Sequence, residues 1–143
     1  MDKAVQKVLF QAAGLPVVPH EAIHEREWEE DPEAVAARAE HLGYPLFAKP
    51  ATLGSSVGIS RVAGPEELQP ALEEAFAYSH KAVLERSMEG TREIECGVLG
   101  NDEPVASVPG EILPAGEWYD YASKYLDDAP RLEIGRASCR ERV

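Results

Sequence analysis

The chain has 143 residues, 44% of them hydrophobic, which is the length of one ordinary domain with enough apolar side chains for one or two small cores. Its 26 acidic against 14 basic residues give a formal net charge of -12, which repels polyphosphate backbones and anionic lipid, so neither a nucleic-acid partner nor a membrane partner is expected. No window approaches the roughly 18 consecutive apolar residues of a spanning helix, the opening MDKAVQK lacks the apolar core of a secretory signal, and Cys96 and Cys139 form neither a disulfide framework nor a metal-ligand spacing. A cytoplasmic setting is the expectation.

Taken in chain order, Asp2 caps a first helix in which Val5, Val8, Leu9 and Ala12 recur at helical spacing until Gly14 stops it. LPVVP is a short extended piece bounded by prolines. Asp31-Pro32-Glu33, a cap followed by a first-turn proline, opens a second helix that runs to Leu42 and ends at Gly43. YPLFAK reads as a buried strand, and a loop of small residues leads from it to the strand ISRV. PEELQPALEEAFAYSH predicts a helix with Leu68, Leu72, Ala75 and Phe76 in one stripe, kinked or started late at Pro70 because proline lacks a backbone donor.

KAVLER and REIECGVLG read as the next strands. Alternation in the second sets Ile94, Cys96 and Val98 on one face, with Cys96 as a small buried hydrophobe. Asn101-Asp102 turns the chain into PVASVPGEIL. This hairpin-rich order implies an α+β layer, an antiparallel sheet with helices on one face, extending over residues 1–130. Residues 131–143 carry four arginines against two glutamates, reverse the acidic balance of the rest and show no period, so a disordered or foreign tail is expected there.

The stretch LFAKPATLGSSVGISRV holds the chemistry. A phosphate chain needs backbone N–H groups turned inward with no Cβ in the way, and a cation to offset its charge. Gly54, Ser55, Ser56, Val57 and Gly58 supply the first and Lys49, at the end of the preceding strand, the second. The lysine precedes the loop and the loop feeds a strand, which separates the pattern from a Walker A loop and from a Rossmann fingerprint. Spacing alone is served equally by a glycine-serine hairpin with Lys49 snorkelling at an edge, although simple hairpins turn in about two to five residues.

KPATLGSSVGIS, then VLERSMEGTREIECGVLGN, then WYDYASKYL together resemble the central part of a D-alanine:D-alanine ligase of the ATP-grasp superfamily, in order and spacing from Met1 to about Pro130. The resemblance implies the nucleotide-covering subdomain of an ATP-grasp fold. It implies that Lys3 and Lys49 reach the ATP phosphates and that the backbone from Ser55 through Ser56 and Val57 to Gly58 closes over them. Glu85 then accepts the adenine amino group, Arg86, Ser87 and Met88 form the hinge beside it, and Glu93 accepts from the ribose hydroxyls. WYDYASKYL matches a mobile loop in which Lys124 contacts the terminal phosphate and Tyr125 joins Ser55 near the first D-alanine. Trp118, Tyr119 and Tyr121 serve equally as core aromatics.

The implied reaction is ATP-dependent joining of two D-alanine molecules through an acyl phosphate for peptidoglycan synthesis, with magnesium or manganese bridging phosphates in a homodimeric parent. The family's metal ligands and its amino-terminal domain are expected outside this sequence, so this chain alone is expected to be inactive and to hold no metal. Two other readings fit the residues: another ATP-grasp ligase for a different carboxylate and amine, and a non-catalytic nucleotide-binding or interaction module.

Overall fold

The computed structural model describes residues 1–88, 90–113 and 131–134. The chain divides into two compact units, Met1–Glu89 and Gly90–Val143.

The first unit contains α1 (Lys3–Ala12), β1 (His20–His24), α2 (Glu25–Glu30), α3 (Pro32–Leu42), β2 (Leu46–Pro50), β3 (Ser60–Val62), α4 (Leu68–Phe76) and β4 (Lys81–Arg86). Its four strands form an antiparallel sheet in the order β1-β4-β2-β3. Alternation along the strands sorts the two faces. Ile23, Leu46, Ala48, Val62, Ala82 and Leu84 point to one face, where Val35, Ala39 and Leu42 of α3 and Leu68, Ala71, Leu72 and Ala75 of α4 close the core. Each fully buried leucine here contributes about 2 kcal/mol of apolar transfer.

Helix ends follow the expected chemistry. Asp31 accepts from the Ala34 N–H at 2.9 Å with Pro32 in the first turn, and α3 stops at Gly43, whose φ of 88° no branched residue adopts easily. A 3-10 turn at Pro65–Glu67 precedes α4, so the helix starts late, as one of the two expectations for Pro70 had it. Pro70 then sits in the first turn, where its missing donor has no partner to lose.

β1 and α2 are absent from the sequence reading. HEAIH is too short to show a period, and it becomes a strand by pairing with β4, His20 opposite Glu85 and His24 opposite Lys81. Arg38 of α3 ties this edge down by donating to Glu21 Oε2 at 2.8 Å and to the Ala22 carbonyl at 2.9 Å.

The helix α1 packs on the opposite sheet face, where Ala4 meets Ala22, Ala51 and Val83. α3 and α4 share the face expected for helices, and α1 makes a second layer. Its orientation also corrects the amphipathic reading. Lys3, Ala4 and Lys7 turn toward the sheet, while Val5, Val8 and Leu9 are 51%, 60% and 62% exposed. Electrostatics and caps decide this: Asp2 accepts from Ala4 N–H at 2.8 Å and pairs with Lys81 at 2.6 Å, and Lys3 N–H donates to the Ala51 carbonyl at 2.8 Å.

In the second unit β5 (Glu93–Glu95), β8 (Gly110–Leu113) and β9 (Arg131–Ile134) form an antiparallel sheet, and β6 (Val98–Leu99) pairs with β7 (Val105–Ala106). The two long strands expected here are each broken in two. The break in the first falls at Cys96-Gly97, where Gly97 exchanges bonds with Ser107, donating to its hydroxyl at 2.9 Å and accepting from its N–H at 2.8 Å. Cys96 is exposed there, not buried. Arg92 grips the buried Glu111 carboxylate with two bonds of 2.8 Å. Arg131–Ile134 forms regular structure where none was expected, because a four-residue run shows no period until β8 supplies its partner. Residues 135–143 lie outside the described residues.

Candidate functional site

The α1-covered sheet face carries a charge cluster. Strand alternation brings Lys49 of β2 and Glu85 of β4 to this face, since Phe47 stands opposite Glu85 and Lys49 lies two residues further along β2. Lys49 Nζ is 2.5 Å from Glu85 Oε2 and 5.5 Å from the centroid of the Phe47 ring. From α1, Lys7 Nζ lies 3.0 Å from the other oxygen, Oε1. The Glu85 side chain is only 12% exposed, so both contacts are shielded from water.

Burial alone pushes the Glu85 carboxyl up, but the Lys49 charge and the hydrogen bonds from Lys49 and Lys7 outweigh it and hold the group below the ordinary glutamate range. Lys3, one turn earlier on α1, is the third cation. Its ammonium donates to the Pro50 carbonyl at 2.7 Å and to the Leu53 carbonyl, at the mouth of the small-residue loop. Burial first, and then the neighbouring charge of Lys49, push Lys3 below the usual lysine value. Two ammonium groups therefore bond one carboxylate with a third in its electrostatic neighbourhood, a local positive excess in a strongly acidic chain.

The loop itself is a double turn. Val57 N–H donates to the Gly54 carbonyl at 3.2 Å and Ile59 N–H to the Ser56 carbonyl at 3.4 Å. Ser55, Ser56 and Gly58 all have left-handed backbones, with φ of 54°, 59° and 66°. A left-handed non-glycine residue costs about 1–2 kcal/mol, so two adjacent serines store strain at this turn. At Gly58 a side chain is excluded by contact as well: a Cβ would lie 2.6 Å from the Tyr78 ring and 2.9 Å from Pro50. The Val57 amide is used inside the turn, so within the expected phosphate cradle it is already bonded to protein.

The structure brings Lys3, Lys49 and Glu85 together and adds Lys7, which the sequence reading missed. Its signal was spacing, one turn from Lys3 on the helix face opposite the apolar stripe. At the hinge, Arg86 N–H donates to the Pro19 carbonyl at 3.0 Å and Ser87 N–H to the Pro45 carbonyl at 2.9 Å, so neither donor is turned to a ligand. The Arg86 guanidinium lies over Gly43, where a Cβ would meet it at 2.8 Å. Met88 follows, partly exposed. Glu93 opens β5 of the second unit and is half-buried. Lys124 and Tyr125 lie outside the described residues. Among the described residues no three histidine, cysteine or acidic side chains converge on a metal-sized site.

The fold is that of ATP-grasp ligases. The crystal structure of the VanG D-Ala:D-Ser ligase from Enterococcus faecalis is similar with a TM-score of 0.78 and 31% identity, over 97% of this chain and 40% of that one. The D-alanine-D-alanine ligase from Coxiella burnetii is similar with a TM-score of 0.68 and 39% identity, over 78% of this chain and 31% of that one. The family model described as D-ala D-ala ligase C-terminus matches residues 9–142, and the chain belongs to that family. Curated proteins named D-alanine--D-alanine ligase are 48% identical in Deinococcus radiodurans and 51% identical in Bacillus velezensis, each over 94% of this chain. The chain spans 40% and 38% of their respective lengths.

Proposed function

We propose that this chain is the nucleotide-holding part of an ATP-dependent ligase that joins two D-alanine molecules for cell-wall synthesis in the cytoplasm. The observation that carries it is the pairing of Lys7 and Lys49 with Glu85, with Lys3 at the Pro50 and Leu53 carbonyls that lead into the strained small-residue turn. A triphosphate needs concentrated positive charge, and a 6-amino purine needs a fixed acceptor. The cluster holds both.

In this reading Lys49 exchanges Glu85 for a phosphate oxygen, and Lys3 exchanges the Pro50 and Leu53 carbonyls for another. The backbone from Ser55 to Gly58 covers the phosphates, Glu85 accepts from the base beside the hinge of Arg86, Ser87 and Met88, and Glu93 serves the ribose. Lys124 and Tyr125 belong to a closing loop that excludes water and, with Ser55, lines the D-alanine site.

The reaction has two displacements. A carboxylate oxygen of the first D-alanine attacks the terminal phosphorus of ATP and ADP leaves. The amine of the second D-alanine then attacks the acyl carbon and inorganic phosphate leaves, closing the amide bond. Magnesium or manganese would supply neutralisation of phosphate charge in the whole ligase, and no step is assigned to it. Homodimeric assembly belongs to the same proposal.

The relatives near 50% identity are named for D-alanine, which supports D-alanine as second substrate. Titration of the chain with ATP, followed by amide NMR, tests the nucleotide reading. Shifts at Lys49, Glu85 and the 54–58 loop are expected, and Lys49→Ala abolishes them. An unchanged spectrum at millimolar ATP overturns it. The chain alone is expected to release no phosphate from ATP and D-alanine, the remainder of the ligase being needed for turnover.

A further inference from the structure

Lys7 has no task in that reading, yet it is one of the two cations that clamp Glu85. It takes Oε1 at 3.0 Å from α1 while Lys49 takes Oε2 at 2.5 Å from β2. Lys7 is nearly as well shielded as its partner, with side chains 14% and 12% exposed. Nor does α1 depend on this contact to stay on the sheet. The Asp2–Lys81 pair at 2.6 Å and the bond from Lys3 N–H to the Ala51 carbonyl at 2.8 Å fasten its first turn, and Ala4 packs beneath.

The two clamps differ in what a nucleotide does to them. Lys49 stands at the end of β2, five residues before Gly54 where the loop that covers the phosphates begins, so a bound triphosphate draws it off Glu85. A buried carboxylate that loses its only cation takes up a proton or swings toward water, and either change ends its service as an acceptor. Lys7 sits on the helix and keeps its bond throughout.

We propose, on the reading of Glu85 as the acceptor for the adenine amino group, that Lys7 is a positioning residue. It fixes Glu85 through Oε1, and Oε2, vacated by Lys49 when phosphate binds, becomes the acceptor that selects a 6-amino purine. Base recognition is thereby coupled to the phosphate end: without a triphosphate, Lys49 occupies the oxygen that the amino group needs. The charged and titratable groups facing the carboxylate are Lys3 and Lys7 from α1, Lys49 from β2 and His20, its register partner, from β1.

The test uses the whole chain, Lys7→Met and Lys7→Arg, each titrated by NMR with ATP, inosine triphosphate and inorganic tripolyphosphate. Inosine triphosphate carries an oxygen in place of the amino group. Lys7→Met is expected to weaken ATP about tenfold while changing the other two ligands by less than about twofold, and Lys7→Arg to restore the preference for ATP. The Glu85 carboxyl carbon should titrate at higher pH in Lys7→Met. Equal losses for all three ligands make Lys7 a phosphate cation or a helix support and overturn the proposal. ATP binding that Lys7→Met leaves unchanged overturns the positioning role alone. If the unaltered chain binds none of the three, the nucleotide reading fails and this proposal fails with it.

Discussion

Lys49 and Glu85, which the family resemblance sends to opposite ends of a nucleotide, are bonded to each other at 2.5 Å across neighbouring antiparallel strands. They are diagonal neighbours on one sheet face, a spacing that long side chains bridge. The two side chains therefore satisfy each other. This pairing removes the cost of leaving two partly buried charges unpaired, and a ligand must replace it with bonds of its own.

Replacing Glu85 with glutamine leaves Lys7 and Lys49 crowded without a counter-charge. Glu85→Gln is expected to lower unfolding free energy by about 2 kcal/mol, read from urea denaturation at pH 7. The same variant should bind inorganic tripolyphosphate more tightly and lose preference for ATP over inosine triphosphate, because the lysines are freed as the acceptor is lost.

Glycines 54 and 58 share a loop but not a constraint. A Cβ at Gly54 meets nothing within 4 Å, whereas at Gly58 it meets Tyr78 and Pro50 on a backbone with φ of 66°. Gly58→Ala should cost about 2 kcal/mol of stability and Gly54→Ala less than about 0.5 kcal/mol, measured by thermal or urea unfolding.

Acid stability should follow two carboxylates. The hydrogen bond from Lys81 is the main cause that holds Asp2 below its ordinary value of 3.8, and the lysine clamp holds Glu85 below 4.5 against its burial. A depressed folded value means the unfolded chain binds the proton more readily, so the stabilisation is complete above the ordinary values and is lost as pH falls through the folded ones. Urea midpoints measured from pH 7 down to about 2.5 should hold until the ordinary carboxylate values are reached and fall progressively below them. In the combined Asp2→Asn and Glu85→Gln variant the drop should be shallower.

The outward stripe of α1 should be dispensable for folding. Val8→Gln and Leu9→Gln are expected to change stability by less than about 0.5 kcal/mol, since both side chains are more than half exposed. Ala4→Leu, forced against Ala51 and Val83, should cost about 1–3 kcal/mol. Equal effects in the two experiments would mean that the helix turns its apolar side inward in solution.

Much of the site was legible because its signals are local. Asp2, Asp31 and Gly43 mark helix ends through bonds that span two to four residues, and LGSSVG behind Lys49 announces a tight turn of small residues. These features need only neighbours in the chain. Lys7 was not legible as a partner of Glu85, nor were the Lys3 bonds to Pro50 and Leu53, since each joins groups far apart in sequence.

The sequence by itself determined that a helix opens the chain between Asp2 and Gly14, that a cationic strand end precedes a loop of small residues, and that a helix opened by Asp31-Pro32 runs to Leu42. Only the tertiary structure decided which side of α1 meets the sheet, that His20–His24 and Arg131–Ile134 are strands, and that two lysines, from α1 and β2, share one glutamate. The reason is physical. Caps, turns and periodicity are satisfied within a few residues, whereas a strand's pairing and a buried charge's partner exist only once distant segments have been brought side by side.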